Sequence, residues 1–137
     1  MPDRYAIAAA TFYEELAAKL IEGARKVFED AGHEVDVFEV PGCFELPMAA
    51  KKISLSGKYK GVACVGAVIR GETTHYDYVC NECARGIQNV QLETGVPLSF
   101  GVLTVENYDQ ALARVGGKRH QGEDAARAVI ALAELAP

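Results

Sequence analysis

The sequence has little of several features that mark common classes of protein. None of its apolar runs approaches the length that crosses a membrane, and its start, MPDRYAIAAA, does not have the pattern of a signal peptide. Basic residues number 14 against 19 acidic ones, for a net charge of −5. These absences argue against a membrane protein and against non-specific nucleic-acid binding. We expect one cytoplasmic domain that spans residues 1–137.

The chain has four cysteines. Cys80 and Cys83 form a CxxC, but no second CxxC follows to complete a zinc site, and no strand leads directly into the pair. In a cytoplasmic protein we expect all four to be reduced thiols. Because the pair lies in a stretch typical of a helix, we interpret both cysteines as small helix residues.

The sequence does have a regular alternation of strand and helix patterns. Apolar or alternating runs predict strands at 5–11, 34–40, 61–69 and 97–105. Four alternations of strand and helix predict an α/β fold with a parallel sheet. Thr11 to Glu14 fits a capping box at the start of the first helix. The predicted helices run from that capping box to Gly32, from Glu45 to about Ser54, from Thr74 to Thr94, from Asn107 through Arg114, and from Glu123 to Leu135.

Unusual residues collect after the predicted strands, where parallel α/β sheets bind their ligands. The richest stretch is GAVIRGETTHYDYV, residues 66–79. It comes close to the phosphate-loop pattern GxxxxGK[ST], but Glu72 stands in the lysine position and would repel a triphosphate. A nucleotide triphosphatase is therefore disfavoured.

His75 follows that loop in the first turn of a predicted helix. Free backbone N–H groups and the helix dipole make such an end an anion site without any lysine. The same dipole disfavours the imidazolium form, which leaves a neutral ring able to accept a proton. The alternative is that Thr74 merely caps the helix and His75 is a solvated surface residue. The residues alone leave both interpretations open.

Other residues near the strand ends give weaker signals. Phe12 either stacks on a ligand or covers the sheet, and Phe44 and Glu45 either belong to a site or begin a helix. Arg114 is either a helix-terminal cation or, together with residues 118–120, an anion contact.

Taken together, the motifs resemble those of the lumazine synthase family. VPGCFELP (40–47) and GAVIRGETTHYDYV are the most specific, and the resemblance covers nearly the whole chain as a single domain of that family. It implies a three-layer, flavodoxin-like fold in which helices cover both faces of a four-stranded parallel sheet of order 2-1-3-4. The other matching segments are ATFYEELAAKLIEGA, PLSFGVLTVENYDQALARVGG and GEDAARAVIALAEL.

The resemblance also implies a reaction, the penultimate step of riboflavin biosynthesis. In it, 5-amino-6-(D-ribitylamino)uracil condenses with 3,4-dihydroxy-2-butanone 4-phosphate to give 6,7-dimethyl-8-ribityllumazine, phosphate and water. A Schiff base forms, phosphate leaves and the ring closes, with no metal or organic cofactor. Positioning of the two substrates should then carry much of the acceleration.

Residue roles follow from the same resemblance. His75 matches the general base, Phe12 the ring that stacks on the pyrimidine, and Arg114 the phosphate-binding arginine. Phe100 matches an aromatic that is contributed across a subunit boundary. The remaining matches are Cys43, Phe44 and Glu45 for the ribityl chain, Ala67, Val68 and Ile69 beside the pyrimidine, and Gly71, Glu72, Thr73 and Thr74 for the phosphate.

The family's pocket lies between adjacent subunits of a homopentamer, so Phe100 and Arg114 of one copy would serve His75 of the next. Only about four residues precede the first predicted strand, which leaves a pentamer, a decamer and a 60-subunit icosahedral shell open. Riboflavin synthase is a further partner that the resemblance suggests. The departures are Thr11 and Tyr13, where many members carry arginine and asparagine, and Gln121, where many carry lysine.

Three other functions fit the predicted fold. One is a non-catalytic protein that holds a flavin or a lumazine in the same pocket. Another is the archaeal type of riboflavin synthase, which the GETTHYDYV block fits poorly. The third is a flavodoxin-like signalling or electron-transfer domain, by structural analogy.

Overall fold

The computed structural model describes residues 2–137 and contains one principal sheet. Its strands are β1 (Arg4–Ala10), β2 (Glu34–Val40), β3 (Val62–Ile69) and β4 (Leu98–Val105). The helices are α1 (Glu14–Asp30), α2 (Leu46–Leu55), α3 (His75–Thr94), α4 (Tyr108–Leu112) and α5 (Gln121–Ala133), and a 3₁₀ turn (Cys43–Glu45) precedes α2. Two-residue strands β5 (Val115–Gly116) and β6 (Arg119–His120) form a small hairpin.

The sheet order is β2-β1-β3-β4 and every pairing is parallel. Ile7 at the middle of β1 pairs with Val37 on one side and Ala63 on the other. This confirms the predicted α/β class, the parallel sheet and the order 2-1-3-4. All four carboxyl ends therefore meet along one edge of the sheet.

Helices cover both faces of this sheet, as expected. On one face, Leu16, Phe28 and Val129 from α1 and α5 pack with Tyr5 and Ile7. On the other face, residues of α2 and α3 such as Leu46, Ile53 and Ile87 pack against Ala6, Cys64 and Val102. Because β1 is enclosed on both sides, its last six residues are all buried, which is why it lacks polar alternation.

The predicted capping box at Thr11 is wrong. α1 begins after Tyr13, which makes no side-chain cap bond. Thr11 Oγ1 instead donates a hydrogen bond of 3.3 Å to the carbonyl oxygen of Val40. Thr11 still belongs to the extended connection beside β2, so its hydroxyl ties the ends of β1 and β2 together.

The segment after β4 also differs from the prediction. Asn107 caps α4 as expected, since its Oδ1 accepts from the Gln110 amide at 2.9 Å. However, α4 ends at Leu112 and not at Arg114, because the chain turns into the β5–β6 hairpin through Gly117, whose φ is +62°. α5 begins at Gln121, two residues early, since His120 Nδ1 accepts from the Glu123 amide.

Cys80 and Cys83 both lie within α3, which confirms their predicted placement on a helix, and all four cysteines are free thiols. Within residues 2–137, no three or more histidine, cysteine, aspartate or glutamate side chains are grouped so as to hold a metal ion. In the same part of the chain, no helix combines the length and the apolar character needed to cross a membrane.

Candidate active site

A cavity of about 480 Å³ lies beyond the carboxyl ends of β1 and β3, at the sheet edge that the sequence indicates. Four segments form it: the connection after β1, the 3₁₀ turn, the end of β3, and the start of α3. The lining residues are Phe12, Tyr13, Gly42, Cys43, Phe44, Glu45, Ala67, Val68, Ile69, Gly71, Thr73, His75, Tyr76 and Val79.

Most of the residues that the sequence points to come together here. Glu72 and Thr74 belong to the same loop as Gly71 and Thr73 but do not line the cavity. Phe100 and Arg114 lie outside it, and both are exposed. The predicted residues in the lining are Phe12, Cys43, Phe44, Glu45, Ala67, Val68, Ile69, Gly71, Thr73 and His75.

The 3₁₀ turn is closed by its own hydrogen bonds. The Gly42 amide donates to Glu45 Oε1 at 2.9 Å, and the Glu45 amide donates to the Gly42 carbonyl at 3.2 Å. With the turn fixed in this way, Cys43 points into the core and Phe44 is exposed at the cavity. Cys43 therefore anchors the turn, and Phe44 faces the cavity.

Cys43 anchors the turn to β3. Its thiol donates to the carbonyl oxygen of Ala67 at 3.7 Å. A hydrogen bond with Cys83, together with burial, holds the pKa of the Cys43 thiol above its usual range. The group therefore remains a protonated thiol at neutral pH, and it serves packing instead of acting as a nucleophile.

The start of α3 supplies the histidine of the cavity. Thr74 is the N-cap but makes no side-chain cap bond, while the His75 amide donates to Thr73 Oγ1 at 3.3 Å. Residues 71–75 are all exposed, so the loop and the His75 ring are open to a ligand. An exposed helix N-terminus of this kind favours an anion.

Tyr76 and Val79 also line the cavity, and the sequence reasoning missed them. A signal was available, because Val79 lies one helical turn after His75 and so shares its face of α3. Burial is the largest cause that raises the pKa of Tyr76 above its ordinary value. Its phenol therefore stays neutral at neutral pH.

A second and larger groove, of about 710 Å³, runs along the edge strand β2 and α2. Phe38, Met48 and Tyr59 give it a largely apolar wall, and Phe44 and Glu45 border both cavities. Its lining contains no histidine. The groove therefore lacks the histidine that distinguishes the smaller cavity.

Comparison with known proteins decides the family. The family model described as 6,7-dimethyl-8-ribityllumazine synthase matches residues 3–136. The chain belongs to this family. It is 47% identical over 133 residues to a protein named 6,7-dimethyl-8-ribityllumazine synthase from Thermococcus gammatolerans, and the match covers 96% of this chain and 86% of that protein.

Membership in the lumazine synthase family confirms the resemblance read from the motifs. The chain is an enzyme that forms 6,7-dimethyl-8-ribityllumazine in riboflavin biosynthesis. A signalling domain and a riboflavin synthase are thereby disfavoured.

Proposed function

We propose that the cavity beside His75 is where this lumazine synthase condenses 5-amino-6-(D-ribitylamino)uracil with 3,4-dihydroxy-2-butanone 4-phosphate. The observation that carries the proposal is that one cavity joins the exposed ring of Phe12, the N-terminus of α3 and the imidazole of His75. A flat ring suits the pyrimidine, a helix N-terminus suits the phosphate, and a histidine suits the proton transfers.

Each segment of the cavity then has a role. Phe12 stacks on the pyrimidine, the turn 43–45 holds the ribityl chain, and 67–69 lies along the pyrimidine edge. Residues 71–74 receive the phosphate at the start of α3. The amine attacks the ketone and water leaves to form a Schiff base, and His75 accepts a substrate proton as phosphate departs. Condensation of the second amine with the remaining carbonyl releases a second water and closes the ring of the lumazine, with no cofactor or metal.

Arg114 and Phe100 complete the site from a neighbouring copy. In their own chain both lie outside the cavity, and Arg114 Nη1 donates to the Gln110 carbonyl at 2.9 Å on the surface. Phe38 and Met48, exposed along the apolar groove, support contact between copies, because contiguous apolar surface marks an interaction site. We propose a cytoplasmic homopentamer whose sites lie between adjacent subunits.

A fluorescence assay of lumazine formation tests the proposal, with an enzyme-free mixture to measure the unaided condensation. We expect the wild type to exceed that background, and His75→Ala to lower kcat by about 100-fold. Tyr78→Ala is the matched control, since Tyr78 is an exposed aromatic in the first turn of α3 that does not line the cavity. Equal activity of His75→Ala and Tyr78→Ala would contradict the assignment of His75.

A further inference from the structure

Arg70 follows β3 directly and contacts three residues in two other segments. Its Nε donates to Glu106 Oε2, in the turn after β4. Its Nη2 lies 3.6 Å from Asp77 Oδ1, and its guanidinium carbon lies 4.3 Å from the centre of the Tyr76 ring. Asp77 and Tyr76 both belong to the first turn of α3, next to His75.

The turn that receives Arg70 is itself well fixed. The Arg70 amide donates to the Val105 carbonyl at 2.9 Å, which continues the β3–β4 pairing. The Glu106 amide donates to Gln110 Oε1 at 2.7 Å, inside the capped start of α4. The guanidinium therefore fastens the first turn of α3 to a rigid part of the fold.

The loop between Arg70 and α3 has little else to hold it. Residues 70–75 are all exposed, so none of them is anchored by burial in the core. A Cβ atom placed on Gly71 would meet nothing within 4 Å, which shows how open the loop is. Apart from local hydrogen bonds within residues 73–77, the contacts of Arg70 with Tyr76 and Asp77 are what join this end of α3 to the turn after β4.

These contacts contribute little to stability. The Arg70 side chain is 41% exposed and its carboxylate partners are more so. Exposed ion pairs add little to the free energy of unfolding, since water screens them and two long side chains must be ordered. An effect of Arg70 on catalysis would therefore come from geometry and not from loss of folded protein.

We propose that Arg70 is a positioning residue that sets the orientation of His75 and of loop 71–74 by holding the first turn of α3 against the β4–α4 turn. Arg70 does not line the cavity, so it acts through Tyr76 and Asp77 and not on the substrate. A planar guanidinium is needed because it stacks on Tyr76 while its edge faces the two carboxylates. This inference rests on the proposed function of the cavity.

Arg4 provides a matched control. It lies at the opposite end of the sheet, is 39% exposed, and pairs with the two carboxylates of Glu34 and Asp36 at 3.0 and 3.1 Å. We compare Arg70→Met and Arg70→Lys with Arg4→Met, and measure kcat, the KM of each substrate and Tm. If Arg70 were only a structural residue, Arg70→Met and Arg4→Met would change kcat, KM and Tm alike.

For Arg70→Met we expect kcat to fall about tenfold and the KM of the butanone phosphate to rise, because both depend on the start of α3. The KM of the uracil substrate should stay within about twofold, since Phe12 and β3 hold the pyrimidine. Arg70→Lys should recover only part of kcat because it lacks the planar stack. Equal kinetics in Arg70→Met and Arg4→Met, or equal rises in both KM values, would overturn the inference.

Hydrogen exchange separates this inference from the proposed function, because it needs no turnover. Amides of residues 73–77 should exchange faster in Arg70→Met than in the wild type and in Arg4→Met. Unchanged exchange there would overturn the role of Arg70 even in an active enzyme. If exchange is faster in Arg70→Met but the wild type shows no turnover above background, the contact made by Arg70 is supported. Only the proposed function of the cavity is then contradicted.

Discussion

The rings of Phe12 and Tyr13 meet edge to face, with centroids 5.0 Å apart and planes at 80°. Tyr13 is only partly exposed and packs against the core of the α1 face, whereas Phe12 projects into the cavity. The anchored tyrosine therefore supports the exposed phenylalanine in one orientation before any ligand binds. An aromatic platform fixed in advance loses less conformational entropy when a pyrimidine stacks on it.

Phe12→Ala should weaken binding of 6,7-dimethyl-8-ribityllumazine about tenfold, because the stacking surface is lost. Tm should change little, since the side chain is 74% exposed and contributes little to the core. Titration of lumazine fluorescence measures the affinity. Leu92→Ala removes a side chain of equal exposure (73%) elsewhere on the surface, and the same loss of affinity in that control would count against stacking.

Gly66→Ala should destabilise the fold by about 1–3 kcal/mol, because it overpacks the contact between β3 and the 3₁₀ turn. A Cβ atom at Gly66 would lie 2.7 Å from Cys43 Sγ and 2.9 Å from Ala10 Cβ. Chemical denaturation measures the change. Gly116→Ala is the control, since its Cβ would meet nothing within 4 Å, and a similar loss there would refute the steric explanation.

Asp36→Asn should lower Tm at neutral pH, with a difference that disappears in acid. The hydrogen bond from Tyr59 is the largest cause that lowers the pKa of Asp36, and Arg4 lowers it further. Because the unfolded chain binds this proton more readily than the folded one, the carboxylate stabilises the fold at neutral pH. That stabilisation is lost as the pH falls through the lowered pKa of the folded-state Asp36 carboxyl group.

Thermal unfolding of the wild type and of Asp36→Asn, followed from neutral to acidic pH, measures the effect. Asp30→Asn serves as the control, since Asp30 Oδ2 lies 3.7 Å from Lys26 Nζ and this ion pair lies within the surface of α1. A Tm difference for Asp36→Asn that does not change with pH would show that packing, and not the charge, is responsible.

Strands and long helices could be predicted because each has a repeated local pattern. β2 is predicted at 34–40 and observed at Glu34–Val40. The β5–β6 hairpin could not be predicted, since two-residue strands are too short to show alternation, and the Gly116–Gly117 pair is their main signal. The capping box at Thr11 failed because a local pattern carries no information about the carbonyl of a neighbouring strand.

The cavity could be predicted wherever its residues follow strand ends, as His75 and Phe12 do. Tyr76 and Val79 needed the additional step of projecting α3 onto a helical face. Phe100 gave no local signal for a site and Arg114 only an ambiguous one, because spacing within one chain does not describe contacts with another. The roles proposed for Phe100 and Arg114 come from the family resemblance.

The proposed site takes His75 from one copy and Arg114 from the adjacent copy. Co-expression of His75→Ala with Arg114→Gln tests it, since each variant alone should be nearly inactive. If subunits mix randomly, about a quarter of the sites regain both intact side chains. His75→Ala with Phe12→Ala is the control, because both side chains line one copy's cavity and no site regains both.

We expect purified mixed assemblies of His75→Ala and Arg114→Gln to recover lumazine synthesis to about a quarter of the wild-type rate, while the control mixture does not exceed the mean rate of its two parent variants. No recovery in assemblies proven to contain both variants would contradict the proposed site.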